Sequence, residues 1–276
     1  MDVRALLIIW PRAQGAFTRY SSAFLELLSL GWVRAKIDVM KVSTLSEPTE
    51  RLEETTESSK VRRVPMSYEA YLSYGEESAR TEWVDGEVVV YMPPKAEHQR
   101  LLAFLERLLA LFVSLKGLGE VNIAPFEVKL WEEGPSREPD IFFLTDEQLS
   151  DLSTERFSGA PALAVEIISP SSLFIDRNTK LREYERAGVK EYWVVDSRPG
   201  KAAADFFRLD DTGRYELFAT ETDEMVNSGV VEGFWLRPEW LWQSDLNPLQ
   251  ALAEIIGKEV LIEALQSGTD HSSDST

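Results

Sequence analysis

Two short apolar runs, Ala162–Ile168 and Tyr192–Asp196, bracket a charged segment, Asp176–Ala187, that reads as a helix and closes on Gly188. The first run is apolar at nearly every position. That is the pattern of a strand buried on both faces, not of one with a wet side. Strand, helix, strand in this order predicts a parallel pair joined by a right-handed crossover. The rest of the chain is therefore expected to cover both faces of that sheet, which makes it an α/β protein.

One carboxylate interrupts the first run. Glu166 sits inside Leu-Ala-Val-Glu-Ile-Ile, where a charge is expensive to bury without a partner or a metal. Asp140 follows Pro139 and opens another apolar run that ends at Leu144. If these strands lie side by side, both carboxylates reach one edge of the sheet. Close carboxylates repel unless a cation stands between them, which favours a hard divalent metal. Lys180 lies on the following helix, with Arg177 three residues before it and Tyr184 four after, on one face. Two carboxylates and a lysine are the minimal equipment for metal-assisted hydrolysis of a phosphodiester. A plainer alternative makes Asp140 a strand-start cap, pairs Glu166 with an arginine and leaves Lys180 on a solvated helix face.

Composition narrows the chemistry. The chain has no cysteine and only two histidines, His98 and His271, which excludes disulfides, zinc-thiolate sites, thiol nucleophiles and a multi-histidine metal centre. Any metal is bound mainly by oxygen, so Mg²⁺ or Mn²⁺ is expected. The net charge of −18 argues against a protein that coats nucleic acid, though a local basic rim and a bound metal can offset a carboxylate-rich cleft. A two-carboxylate glycosidase leaves Lys180 without a role. The apolar stretch 5–10 is too short for a membrane span or a signal peptide, so a cytoplasmic protein without a membrane partner is expected.

Three regions are expected. Residues 1–64 form an extension that ends in a Ser/Thr/Glu-rich linker with the composition of a disordered segment, and Met40 is a candidate natural start. Residues 65–258 form the main domain, and 259–276 a polar tail. Within the domain, Ser67 caps a short helix, and Asp85-Gly86 turns a hairpin over 82–91. A helix spans 98–116 and ends at Gly117. A strand follows over 121–131, a hairpin over 202–219, and a short helix over 249–256. His98, at a helix start, is either a phosphate or proton-transfer group or a capping and packing residue. Tyr184 suits packing better than chemistry, and Trp193, Trp235, Trp240 and Trp242 suit the core or a dimer contact.

Several of these residues together resemble a known family. Pro139-Asp140, Val165-Glu166-Ile167-Ile168-Ser169-Pro170-Ser171-Ser172, Asp176, Lys180, Tyr184, Gly188-Val189 and Glu191–Asp196 resemble the Uma-type putative restriction endonuclease family of the PD-(D/E)xK nuclease superfamily. Glu82-Trp83-Val84-Asp85-Gly86-Glu87 and His98 belong to the same resemblance, which covers roughly residues 65–250. It implies a restriction-endonuclease-like core, a mixed central sheet flanked by helices, with an added N-terminal hairpin and C-terminal strands. It also implies a Mg²⁺- or Mn²⁺-dependent endonuclease that hydrolyses phosphodiester bonds in nucleic acid, DNA being the expected partner. Asp140 and Glu166 become the metal ligands, Lys180 the catalytic lysine and Glu82 an additional acidic residue, with His98 and Tyr184 as further candidates. One departure stands out: Ile168 occupies the place, two residues after the second carboxylate, where the superfamily keeps its lysine. The resemblance explains this by a lysine moved to the next helix, at Lys180. Nucleases of this class often work as dimers, and a homodimer is an expected assembly. The alternative is a catalytically degenerate member that binds nucleic acid or protein without cutting.

Overall fold

The computed structural model describes residues 61–74 and 80–267. The chain divides after Glu54, and all the described residues belong to the second unit. The stretch 5–10, Met40, the acidic linker and residues beyond 267 lie outside them.

The described chain opens with β1 (Arg62–Pro65), three residues ahead of the expected domain start, and α1 (Tyr68–Tyr71), whose N-cap Ser67 accepts from the Ala70 N–H. β2 (Thr81–Val84) and β3 (Glu87–Val90) form the expected hairpin. Its turn residues Asp85 and Gly86 have φ of 49° and 82°, as a tight primed turn requires. The long helix α2 (Ala96–Lys116) ends on Gly117 in the left-handed region.

The single strand expected over 121–131 is two strands, β4 (Gly119–Ile123) and β5 (Glu127–Lys129), in different sheets. Pro125 lies between them and has no N–H to continue a ladder. Next come β6 (Ser136–Arg137), β7 (Ile141–Thr145), β8 (Arg156–Ser158) and β9 (Leu163–Ile168), the last buried at all six positions. A π-helical turn, Ile175–Lys180, leads into α3 (Leu181–Ala187), which stops at Gly188. β10 (Glu191–Asp196), β11 (Ala203–Leu209), β12 (Tyr215–Thr220), β13 (Val226–Asn227), β14 (Trp235–Leu236) and α4 (Pro248–Ile256) follow. Residues 258–267, mostly assigned from sequence to the polar tail, form a last helix, α5 (Lys258–Ser267), whose Leu261 packs on the core.

Two six-stranded sheets result, in the orders β1-β3-β2-β6-β5-β8 and β12-β11-β10-β9-β7-β4. β9 and β10 are parallel, with Val165 opposite Trp193, as the strand-helix-strand pattern predicts. Their outer neighbours β7 and β11 are antiparallel to them, so the sheet is mixed. Alternation sorts the side chains of this sheet. Leu163, Val165, Ile167, Trp193 and Val195 pack with Leu105 and Phe112 of α2 on one face. Ala164, Ile168, Tyr192 and Val194 pack on the other face with Tyr184 of α3 and with Val128 and Phe157 of the first sheet. Glu166 alternates onto this second face. The hairpin expected as an appendage is part of the first sheet. No helix among the described residues is long and apolar enough to cross a membrane.

Candidate active site

β7 and β9 pair side by side, Ile141 opposite Val165, and the continuation of that register sets Asp140 against Glu166. Both carboxylates are buried, and they share a cation. The Arg80 guanidinium donates from Nη1 to Asp140 Oδ1 at 2.7 Å and from Nη2 to Glu166 Oε2 at 3.2 Å. The remaining oxygens are held as well. Asp140 Oδ2 accepts from the Ile167 N–H at 2.7 Å and lies 3.3 Å from His98 Nε2. Glu166 Oε1 accepts from Lys180 Nζ at 2.7 Å and from the Tyr184 hydroxyl at 2.9 Å.

Lys180 is buried at the end of the π-helical turn, so the solvated-face alternative falls. Its ammonium also stands 2.8 Å from Glu82 Oε1 and 3.6 Å from Asp176 Oδ1. Glu82, on β2, accepts from Arg137 Nη1 at 2.8 Å and from the Tyr91 hydroxyl at 2.6 Å. Arg137 reaches Glu183 through two bonds of 2.7 Å each. The structure thus brings Glu82, His98, Asp140, Glu166, Lys180 and Tyr184 into one network where the two sheets meet. His98 is buried one turn into α2 and makes no cap bond; the N-cap is Lys95. Tyr184 both packs, 4.9 Å from the Tyr192 ring, and hydrogen-bonds. The plainer alternative is partly met, since Glu166 does pair with an arginine.

Several residues of this network, Arg137 and Glu183 among them, were not singled out from sequence. Arg80 is another. Glu138 and Asp176 are buried carboxyls of the same cluster, and Glu138 Oε2 and both Asp176 oxygens have no hydrogen-bond partner. Asp176 belongs to the quoted family pattern, but nothing in its sequence context assigned it to the site.

The electrostatics follow from a shortage of positive charge. Six carboxyls, Glu82, Glu138, Asp140, Glu166, Asp176 and Glu183, face three fixed cations, Arg80, Arg137 and Lys180. Burial raises every carboxyl here, and the outcome depends on the cations each one holds. For Asp140, Arg80 and the bonds from His98 and Ile167 outweigh burial and bring it down to about 2. Glu82 is likewise held low, against burial, by Lys180 and Arg137. Glu166 is pushed up to about 7 by burial, aided by Asp176 and Asp140 and opposed by Lys180 and Arg80. Glu138 is pushed up to about 8 by burial, and Asp176 is raised for the same reason. Lys180 is held above its ordinary value, because Glu166 and Glu82 outweigh its burial.

This donor set fits a hard divalent cation. The ligand atoms are oxygens, the cluster has excess negative charge, and buried oxygens of Glu138 and Asp176 lack hydrogen-bond partners. Asp140 and Glu166 are the two carboxylates that would hold such an ion, although among the described residues no three carboxylates or imidazoles are grouped to hold a metal ion.

Comparison with known proteins bears on the family and the fold. The model of the Uma2 family, described as "Putative restriction endonuclease", matches residues 68–239. Uncharacterized protein sll1609 of Synechocystis sp. (strain ATCC 27184 / PCC 6803 / Kazusa) is 27% identical over 130 residues, which are 46% of this chain and 72% of that protein. The crystal structure of a putative nuclease belonging to DUF820 from Anabaena variabilis ATCC 29413 is similar with a TM-score of 0.54 and 16% identity, over 66% of this chain and 100% of that one. At that identity the likeness concerns the fold.

Proposed function

The chain belongs to the Uma2 family of restriction-endonuclease-like proteins, and from that premise we propose that it is a divalent-metal-dependent endonuclease hydrolysing phosphodiester bonds in DNA. The observation that supports this reading most is the convergence of Asp140, Glu166 and Lys180 in one buried cluster. Asp140 and Glu166 would hold Mg²⁺ or Mn²⁺, which supplies Lewis acidity toward the scissile phosphate. Lys180, kept charged by Glu166 and Glu82, orients the attacking water and stabilises the negative charge that builds up on the phosphate. Tyr184 fixes the rotamer of Glu166, and His98 that of Asp140. Glu82 anchors Lys180 and ties it through Arg137 to Glu183 on α3.

The acidic chain still offers an anionic substrate a place to lie. α2, whose first turn carries His98, also lines a groove of about 440 Å³ with Arg100 and Arg107, where Arg198 and Trp242 join them. Arginines beside a partly buried tryptophan are the chemistry of backbone and base contacts.

The test is cleavage of plasmid and oligonucleotide DNA with Mg²⁺ or Mn²⁺, comparing wild type with Asp140→Asn and Glu166→Gln. These near-isosteres spare the network the loss of a whole side chain. Cleavage that needs metal and disappears in both variants is the expected result. A second reading, a degenerate member that binds without cutting, is favoured by the guanidinium between the two carboxylates. Metal-independent inertness of wild type toward both DNA and RNA would select it.

A further inference from the structure

Arg80 holds the position that a cation shared by Asp140 and Glu166 would take. Its Nη1 and Nη2 each engage one of the two carboxylates, and Nη2 also donates to the Glu138 carbonyl. The two other fixed cations of the cluster are built in more deeply. The side chains of Lys180 and Arg137 are 1% and 2% exposed, whereas that of Arg80 is 24% exposed. Arg80 is therefore the cation with a route to solvent. Its fit is also the poorest: Nε is buried without a hydrogen-bond partner. Arg137, by contrast, spends its fork on Glu183 and Glu82.

A metal ion binds carboxylate oxygen at roughly 2.0–2.1 Å. Held between Asp140 Oδ1 and Glu166 Oε2 it would take the space of the guanidinium fork, and the two charges repel at that range. Resting on the reading of these carboxylates as metal ligands, we infer that Arg80 is a built-in competitor that a divalent ion displaces from Asp140 and Glu166, and that it thereby sets the metal affinity of the site. The carboxylates stay paired when metal is scarce, and the network keeps its geometry. Exchange of one positive charge for two also relieves the carboxyl excess, which is why the metal wins when it is abundant.

The experiment is a Mn²⁺ titration of the full chain, followed by calorimetry and by electron paramagnetic resonance of free Mn²⁺, for wild type, Arg80→Ala and Arg80→Gln. Thermal melts with and without Mn²⁺ run alongside. Arg80→Ala is expected to bind Mn²⁺ at least tenfold tighter than wild type and to melt lower without metal, Mn²⁺ restoring most of the loss. Arg80→Gln keeps a donor and occupies the space without charge, so it tightens binding less. It also serves as the test if Arg80→Ala does not fold alone. Equal or weaker Mn²⁺ binding by the folded variants, with wild type binding normally, overturns the role of Arg80 and leaves the metal site standing. Failure of wild type and of both variants to bind Mn²⁺ overturns the metal reading and this inference together. Binding that appears only when Arg80 is replaced supports it in its strongest form.

Discussion

Lys180 donates to Glu166 across 2.7 Å, although fourteen residues separate the two and both are buried. Ile168, two residues after Glu166 and on the same face of β9, packs in the core against Tyr184 and Tyr192. That strand position is thus filled by packing, and the ammonium beside Glu166 comes from the π-helical turn. Lys180→Met keeps the volume and removes the charge. Loss of one preorganised donor costs about 100- to 1000-fold in turnover. A fall of that size in DNA cleavage at saturating Mg²⁺ is expected; a rate within threefold of wild type would show that the lysine has no part in the chemistry. The same variant leaves Glu82 and Glu166 short of a counter-ion, so urea denaturation should show a loss of about 3 kcal/mol or more.

Tyr184→Phe separates positioning from charge. The hydroxyl donates to Glu166 Oε1 at 2.9 Å, and Lys180 donates to the same oxygen, so the carboxylate is not orphaned by its removal. The ring packing on Tyr192 survives in Phe. The expected stability loss is about 1 kcal/mol, the net worth of one hydrogen bond. Cleavage is expected to fall several-fold, well short of the loss in Lys180→Met. Equal damage from the two variants would mean that Tyr184 acts on the reacting groups directly.

Glu191→Ala is the structural counterpart. Glu191 is a buried carboxylate on the opposite face of β10 from Val194, and it is fully partnered. Arg208 Nη2 reaches Oε1 at 2.8 Å, the Gly229 N–H at 2.5 Å, and Ser228 Oγ reaches Oε2 at 3.0 Å. Truncation strands these donors and the arginine, at a cost of about 3 kcal/mol. The variant should melt markedly lower, yet cleave at the wild-type rate per folded molecule at a temperature where it stays folded. A specific loss of rate in the folded variant would extend the active network to this face.

How far the sequence discloses the site depends on whether a residue is out of place locally. Glu166 is conspicuous because a carboxylate breaks an apolar strand, and Asp140 because it opens one; both readings meet in the β7–β9 register. Arg80 has no such contrast. It sits among polar residues, and its partners lie 60 and 86 positions away, so only tertiary packing exposes it. Helical counting also misleads at Arg177. A spacing of three and four puts Arg177, Lys180 and Tyr184 on one face, but the π-helical turn widens the spacing. Arg177 swings away to pair with Asp205, while Lys180 and Tyr184 both reach Glu166. The division of 121–131 between two sheets follows from Pro125, whose missing N–H is visible in the sequence but outweighed there by the apolar pattern.

The pH dependence of stability has an unusual sign above neutrality, and Glu138 is responsible for its upper part. Burial pushes this carboxyl from an ordinary 4.5 up to about 8, more than Arg80 can offset. Between those values the folded chain retains a proton that the unfolded chain has released. Stability therefore falls as pH rises through that window. Glu166, pushed up to about 7, adds to the lower part of the same limb. Asp140 and Glu82 are held below their ordinary values, so their contribution is present above roughly pH 4 to 4.5 and is lost as pH falls further. Stability without added metal should then peak near pH 4.5 to 5 and decline toward pH 8. Glu138→Gln keeps the shape and removes the proton. It is expected to make the decline between pH 7 and 8 shallower, leaving the part due to Glu166, which is past its midpoint there, while the acid limb remains. Guanidinium denaturation at half-unit pH steps measures both limbs, and an unaltered slope above pH 7 in Glu138→Gln would assign the decline to another group.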